Sequence, residues 1–176
     1  MNIWHDLEPE RITPQEFMAV IEIPKGSKIK YELDKETGML KLDRILYTAT
    51  HYPANYGFIP RTLADDGDPL DVLVLCTEYI DPLTIVNCYP VGMITMVDSG
   101  SQDEKIIAIP KGDPTYNMYE DIIDLPTHMF DEMKHFFKVY KELENKETHV
   151  EDVKLRKDAV VTIEQCIENY NKKFCK

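Results

Sequence analysis

The sequence predicts an α+β domain that is mainly β, and three observations support this. Short apolar or alternating segments, punctuated by Pro- and Gly-containing turns, fill residues 17 to 110. After Pro110 the pattern changes, and two stretches carry apolar residues at helical spacing. No linker, internal repeat or low-complexity tract divides the chain, so residues 1–176 are expected to form a single domain. Short strands followed by two amphipathic helices imply a β-barrel or sheet packed by helices.

Taken in order, residues 17 to 23 are the first strand, ended by the turn Pro24-Lys25-Gly26. Residues 28 to 33 alternate strictly, with Ile29, Tyr31 and Leu33 on one face and Lys28, Lys30 and Glu32 on the other. Asp34 to Gly38 is a turn, and residues 39 to 46 return as an antiparallel partner. The polar face of that hairpin can bring Lys30, Glu32 and Arg44 together. Residues 51 to 60 are aromatic but broken by Pro53, Gly57 and Pro60, which suits a structured loop or short strand. Residues 72–76, 84–88, 90–97 and 105–110 are further strands, and 98–105 is expected to be a polar loop with its own acidic cluster. The first helix spans 127–144, with Phe130, Met133, Phe137 and Tyr140 among its apolar positions. The second spans 158–174, with Val160, Ile163, Ile167, Tyr170 and Phe174 on one stripe.

Composition narrows the function. A formal charge of −12 argues against nucleic acid, which usually meets a basic face. No stretch approaches the roughly 20 apolar residues of a membrane span. The first residues lack the basic and apolar regions of a signal peptide. The four cysteines form no Cys-x-x-Cys pair, and Cys76 and Cys88 read as core thiols of a reducing compartment. Cytoplasm is the expected location.

The most informative segment is Asp66-Gly67-Asp68-Pro69-Leu70-Asp71-Val72, preceded by a fourth acid at Asp65. Like charges this close repel, and oxygen-only ligands on a bent segment suit hard divalent cations. A solvated acidic turn is the plain alternative. The apolar run Val72 to Cys76 speaks against it, because it anchors the acids at the mouth of a core strand. Bound metals would also invert the local field and admit an anionic substrate despite the net charge. Other motifs fail. Counted from Asp66, the sixth and twelfth positions hold Asp71 and Thr77 where an EF-hand needs Gly and Glu. There is no Walker A sequence, dinucleotide fingerprint or His-Glu-x-x-His, and the five histidines are scattered. Carboxylates for metals, lysines and arginine for oxyanions and phenolic donors together make a phosphoryl-transfer tool set.

The Asp66–Val72 segment resembles the signature of the soluble family I inorganic pyrophosphatases. So do Glu22-Ile23-Pro24, Lys30-Tyr31-Glu32, Asp43-Arg44, Tyr52 to Gly57, Pro90-Val91-Gly92 and His135 through Tyr140-Lys141, in the expected order. The resemblance covers roughly residues 15 to 145, and the length resembles the compact bacterial-type members. It implies a five-stranded, OB-like closed β-barrel flanked by two main helices. It also implies hydrolysis of inorganic diphosphate to two phosphates, pulling biosynthetic reactions forward. Several Mg²⁺ ions per site are implied, with Mn²⁺ or Zn²⁺ as substitutes, and a homohexamer is implied as the assembly.

Carried over by residue, Asp66, Asp71 and Asp103 would be the principal metal ligands, with Asp71 bridging two ions. Asp98 would help to bind a metal arriving with substrate, and Glu22 would support one through water. Asp68 would be the base that takes a proton from the attacking water. Lys30, Arg44, Tyr56, Lys105, Tyr140 and Lys141 would hold phosphate oxygens, with Glu32 and Tyr52 in support. Two departures stand out. Ser99 follows Asp98 where many relatives carry another acid, and residues 146–150 lack the Lys-Trp pair common in the family. The competing readings are another Mg²⁺-dependent phosphoanhydride hydrolase and a non-catalytic OB-type binding module. No nucleoside-pocket motif favours the first, and the joint presence of the acids, Lys30 and Arg44 counts against the second.

Overall fold

The computed structural model describes residues 1–175. Its strands are β1 (Phe17–Ile23), β2 (Ile29–Leu33), β3 (Leu40–Ile45), β4 (Asn55–Ile59), β5 (Leu70–Val74), β6 (Ile85–Asp98), β7 (Ser101–Pro110) and β8 (Thr148–Leu155). Two helices, α1 (Thr127–Val139) and α2 (Arg156–Phe174), complete the fold. The main sheet runs β1-β4-β5-β7-β6-β8, and β6 also pairs with β1. The pairings therefore return to their starting strand, with β8 added outside the circuit. Only β5 and β7 are parallel; the other ladders are antiparallel. β2 and β3 form a separate hairpin. The mixed sheet and two helices agree with the α+β expectation.

Alternation along β5 and β7 sorts their side chains between two apolar clusters. Val72, Val74, Ile106 and Ala108 face Ala159, Ile163 and Cys166 of α2. Leu73, Ile107 and Ile109 join Phe130, Met133, Phe136 and Phe137 of α1. β1 crosses β4 closely at Gly57, where a Cβ would lie 1.8 Å from the Val20 carbonyl oxygen. Only glycine fits there.

Four details differ from the sequence reading. Residues 84–88 and 90–97 are one 14-residue strand, β6, and a bulge between Pro90 and Gly92 absorbs the proline's missing donor. The expected loop 98–105 shrinks to Ser99-Gly100, both at positive φ (51° and 84°), as a tight hairpin turn requires. The acids beyond it are therefore strand residues. The first helix stops at Val139 and is followed by a 3₁₀ turn at Glu142–Glu144. β8 was not expected at all. It carries Glu151, Asp152 and Lys154, as an edge strand paired only to β6 tolerates. Among the described residues no helix is long and apolar enough to cross a membrane.

Candidate active site

Strand register builds the centre of the site. In the parallel ladder Asp71 stands opposite Lys105, and Asp103 lies two residues earlier on the same face of β7. Lys105 Nζ is 2.9 Å from Asp71 Oδ2 and 3.1 Å from Asp103 Oδ2, and it donates to Tyr56 Oη at 2.9 Å. Lys105 is only 2% exposed, so this pairing is obligatory. Burial works against its charge, but Asp71, Tyr56 and Asp103 outweigh it and hold the ammonium pKa well above the ordinary lysine value. Burial, with Asp71 nearby, pushes the Asp103 carboxyl up despite Lys105.

Asp66 and Asp68 sit on the turn that leads into β5. Gly67, at φ 87°, supplies the left-handed residue, and its N–H donates to the Ala64 carbonyl at 3.0 Å. Asp66 Oδ1 accepts the Asp68 N–H at 2.9 Å, an Asx turn. Burial and the charges of Asp68, Asp71 and Asp103 raise the Asp66 pKa. The Leu70 N–H donates to Thr62 Oγ1 at 2.9 Å and fixes the strand entry. Asp68 pairs with Lys35 of the β2–β3 turn.

Two bulges place charges that simple alternation would misdirect. The β1–β4 register shifts between Ile21 and Ile23, so Glu22 is the extra residue. Its Oε1 accepts the Leu33 N–H at 2.8 Å. Burial, then repulsion from Asp71, pushes the Glu22 carboxyl up to about 8. On β3 the register skips Asp43, which leaves it beside Arg44 opposite Lys30. Lys30 Nζ reaches Asp43 Oδ2 at 2.9 Å and Glu32 Oε2 at 3.3 Å.

The end of α1 supplies the last wall. Tyr140 is its C-cap, 4% exposed, and burial raises its hydroxyl pKa. Lys141 pairs with Asp98 at the tip of β6. Burial of Asp98 is outweighed by that lysine, so its pKa falls below the carboxylate norm.

These elements enclose a cleft of about 410 Å³. Glu22, Lys30, Glu32, Tyr56, Asp66, Asp68, Asp71, Asp98, Asp103, Lys105, Tyr140 and Lys141 all line it. Two anticipated residues lie behind the wall. Tyr52 is buried against Tyr56 and Phe136, and Arg44 is turned to Asp43 and Glu144. Sequence reasoning missed Asp34, Lys35, Glu36 and Lys41, which also line the cleft. Their position in the β2–β3 turn and return strand was the available signal.

Nine carboxylates and five lysines line the cleft, a formal balance of −4. Among the described residues no three His, Cys, Asp or Glu side chains are gathered closely enough to hold one ion. Instead lysines pair with Asp68, Asp71, Asp98 and Asp103. The donor set is nevertheless all oxygen and carries excess negative charge, which fits hard divalent cations.

The sequence model of the family described as inorganic pyrophosphatase matches residues 19–171. The chain belongs to the soluble inorganic pyrophosphatase family. Membership makes it a hydrolase of the phosphoanhydride bond. It is 49% identical over 172 residues to the inorganic pyrophosphatase of Aquifex pyrophilus, covering 96% of this chain and 97% of that one. It is 48% identical to soluble inorganic pyrophosphatase 1 of Arabidopsis thaliana, covering 95% of this chain and 79% of the relative. Its structure matches that of the Thermus thermophilus inorganic pyrophosphatase with a TM-score of 0.93 at 40% identity, over 97% of this chain and 99% of that chain. The Helicobacter pylori inorganic pyrophosphatase gives 0.90 at 46% identity, over 94% and 99%.

Proposed function

We propose that this pyrophosphatase hydrolyses inorganic diphosphate to two phosphates by direct attack of water, assisted by Mg²⁺ in the cleft. The observation that carries the reading is the charge imbalance of an oxygen-only site beside buried cationic and phenolic donors. Acids alone would repel a diphosphate anion. Divalent cations bound there invert the field, lower the pKa of a bound water and stabilise the attacking and leaving oxygens. Asp66, Asp71 and Asp103 would hold the principal ions, with Asp71 shared. Asp98 would serve an ion that arrives with the substrate, and Glu22 would act through water.

The chain's own groups perform the remaining work. Asp68 takes a proton from the attacking water as the new O–P bond forms and the bridging P–O bond breaks. Charge develops on the departing phosphate, where Lys30, Lys105, Lys141 and, from behind the wall, Arg44 stabilise it. The raised pKa of Lys105 keeps it cationic, and the raised pKa values of Tyr56 and Tyr140 keep both phenols protonated as donors. Glu32 orients Lys30, and Tyr52 supports Tyr56 by packing. The returning circuit β1-β4-β5-β7-β6 supports the five-stranded OB-like barrel reading. The same reading carries a cytoplasmic location and a homohexamer with α1 around His135 as a contact face.

The test is phosphate release from diphosphate with Mg²⁺, with EDTA, and for Asp68→Asn. Release that needs metal and falls about 10²–10⁴-fold in the variant supports the reaction and the base. No release by the folded, Mg²⁺-loaded protein would falsify the reaction. Metal-dependent release that survives in Asp68→Asn moves the base elsewhere. Equal turnover of ATP would favour a broader phosphoanhydride hydrolase.

A further inference from the structure

Glu144 lies outside the cleft lining, yet its side chain is only 8% exposed and faces a cation. It ends the 3₁₀ turn Glu142–Glu144, three residues after Lys141. Its N–H donates to the Lys141 carbonyl at 3.0 Å, and Asn145 closes the turn at φ 55°. Asparagine tolerates that left-handed conformation better than most residues. The turn therefore holds Glu144 in fixed relation to the Tyr140-Lys141 wall of the cleft.

Glu144 Oε1 stands 2.9 Å from Arg44 Nε. The N–H is not aimed along that line, so the contact is an ion pair without an aligned hydrogen bond. Arg44 Nη1 meets Asp43 Oδ2, and the same oxygen accepts Lys30 Nζ at 2.9 Å. Arg44 Nη2 and Glu144 Oε2 are buried with no partner. A chain of alternating charge thus runs Glu144, Arg44, Asp43, Lys30, from the turn after α1 to the cleft wall. Asp43 Oδ2 is shared between Arg44 and Lys30, and Glu32 pairs with Lys30 but not with Arg44. Glu144 supplies the second carboxylate of Arg44 from the far side, which lessens its claim on Asp43, the group shared with Lys30, and Nη2 stays an uncommitted donor.

We infer that Glu144 is a positioning residue for diphosphate binding, fixing Arg44 and, through Asp43, Lys30. The inference rests on the reading of the cleft as a diphosphate site. Glu144→Gln keeps the size of the side chain and removes its charge. KM for Mg²⁺-diphosphate is expected to rise about tenfold, the order of one lost charge-assisted contact, while kcat stays within about twofold. Glu144→Asp restores part of the loss. In an Arg44→Met background Glu144→Gln adds nothing further, as coupled neighbours require.

An unchanged or lower KM in folded Glu144→Gln overturns the inference. So does an equal rise in the Arg44→Met background, because Glu144 would then act through another group. Should Glu144→Gln fail to fold, Glu144→Asp decides: a raised KM at constant kcat supports the role, and an unchanged KM overturns it. Wild-type turnover in the same assay separates the two readings. None at all overturns the diphosphate site itself, whereas normal wild-type turnover with KM indifferent to residue 144 overturns only the role of Glu144.

Discussion

The two faces of the β5–β7 ladder are built from alternate residues of the same strands, yet they do opposite things. One face carries Asp71, Asp103 and Lys105 at its cleft end, before Leu73, Ile107 and Ile109 continue it under α1. The other carries Val72, Val74, Ile106 and Ala108, sealed under α2. Apolar burial is favourable in proportion to area, so the α2 face supplies stability. Burying charges is at best neutral once they are paired. The charged face is therefore retained for what its field does, and the apolar face makes it tolerable.

The sharpest way to break this contrast is Lys105→Met. The substitution keeps most of the volume and removes the only ammonium among the described residues that contacts both Asp71 and Asp103. It should cost about 3–5 kcal/mol of unfolding free energy, because two buried carboxylates lose their partner. Turnover should collapse as well. Denaturant melts and kcat measured on the folded fraction check both. A variant as stable as the wild type would mean that Asp71 and Asp103 are better solvated than their burial indicates.

One residue along, Ile106→Ala tests the opposite face. It should cost about 2–5 kcal/mol by transfer and cavity terms, with kcat and KM unchanged on the folded enzyme. The two variants differ by a single position in the strand. If Ile106→Ala also lowered kcat strongly, the faces would be mechanically coupled and the division drawn above would fail.

How far the sequence revealed this arrangement depends on how local each feature is. The hairpin at 28–46 and both helices follow from periodicity, which is a local property. Asp66, Asp68 and Asp71 announce themselves because a turn and a buried strand concentrate charge within six residues. What pattern cannot show is register. Glu22 and Asp43 owe their positions to bulges, where one strand carries a residue its partner does not match. The pairing of Asp71 with Lys105 depends on a parallel ladder between segments 34 residues apart. β8 escaped notice because its register skips Glu151, so its inward Val150 and Val153 stand three positions apart and break the alternation. Lys35 and Glu144 lie in turns, and only the folded chain brings them to Asp68 and Arg44.

The smallest effect is expected outside the cleft, at His5, where a partly buried titrating group touches no part of the site. Its ring stacks on Trp4 at 4.6 Å between centroids, and Nδ1 is 2.7 Å from Tyr170 Oη. Burial lowers its pKa below 6.5; Arg61 adds to this and Asp6 opposes it. The folded state thus favours neutral imidazole, and the unfolded chain binds more protons below pH 6.5. Stability from this group is present above pH 6.5 and is lost as pH falls through that value towards the lower folded pKa. His5→Gln should therefore flatten the decline in melting temperature between pH 7 and pH 5, while the pH profile of kcat stays put. A shifted kcat profile would show that the amino-terminal cap reaches the cleft, through the Asn2 side chain that donates to the Lys35 carbonyl. The separation of stabilising and working regions would then need a bridge along that turn.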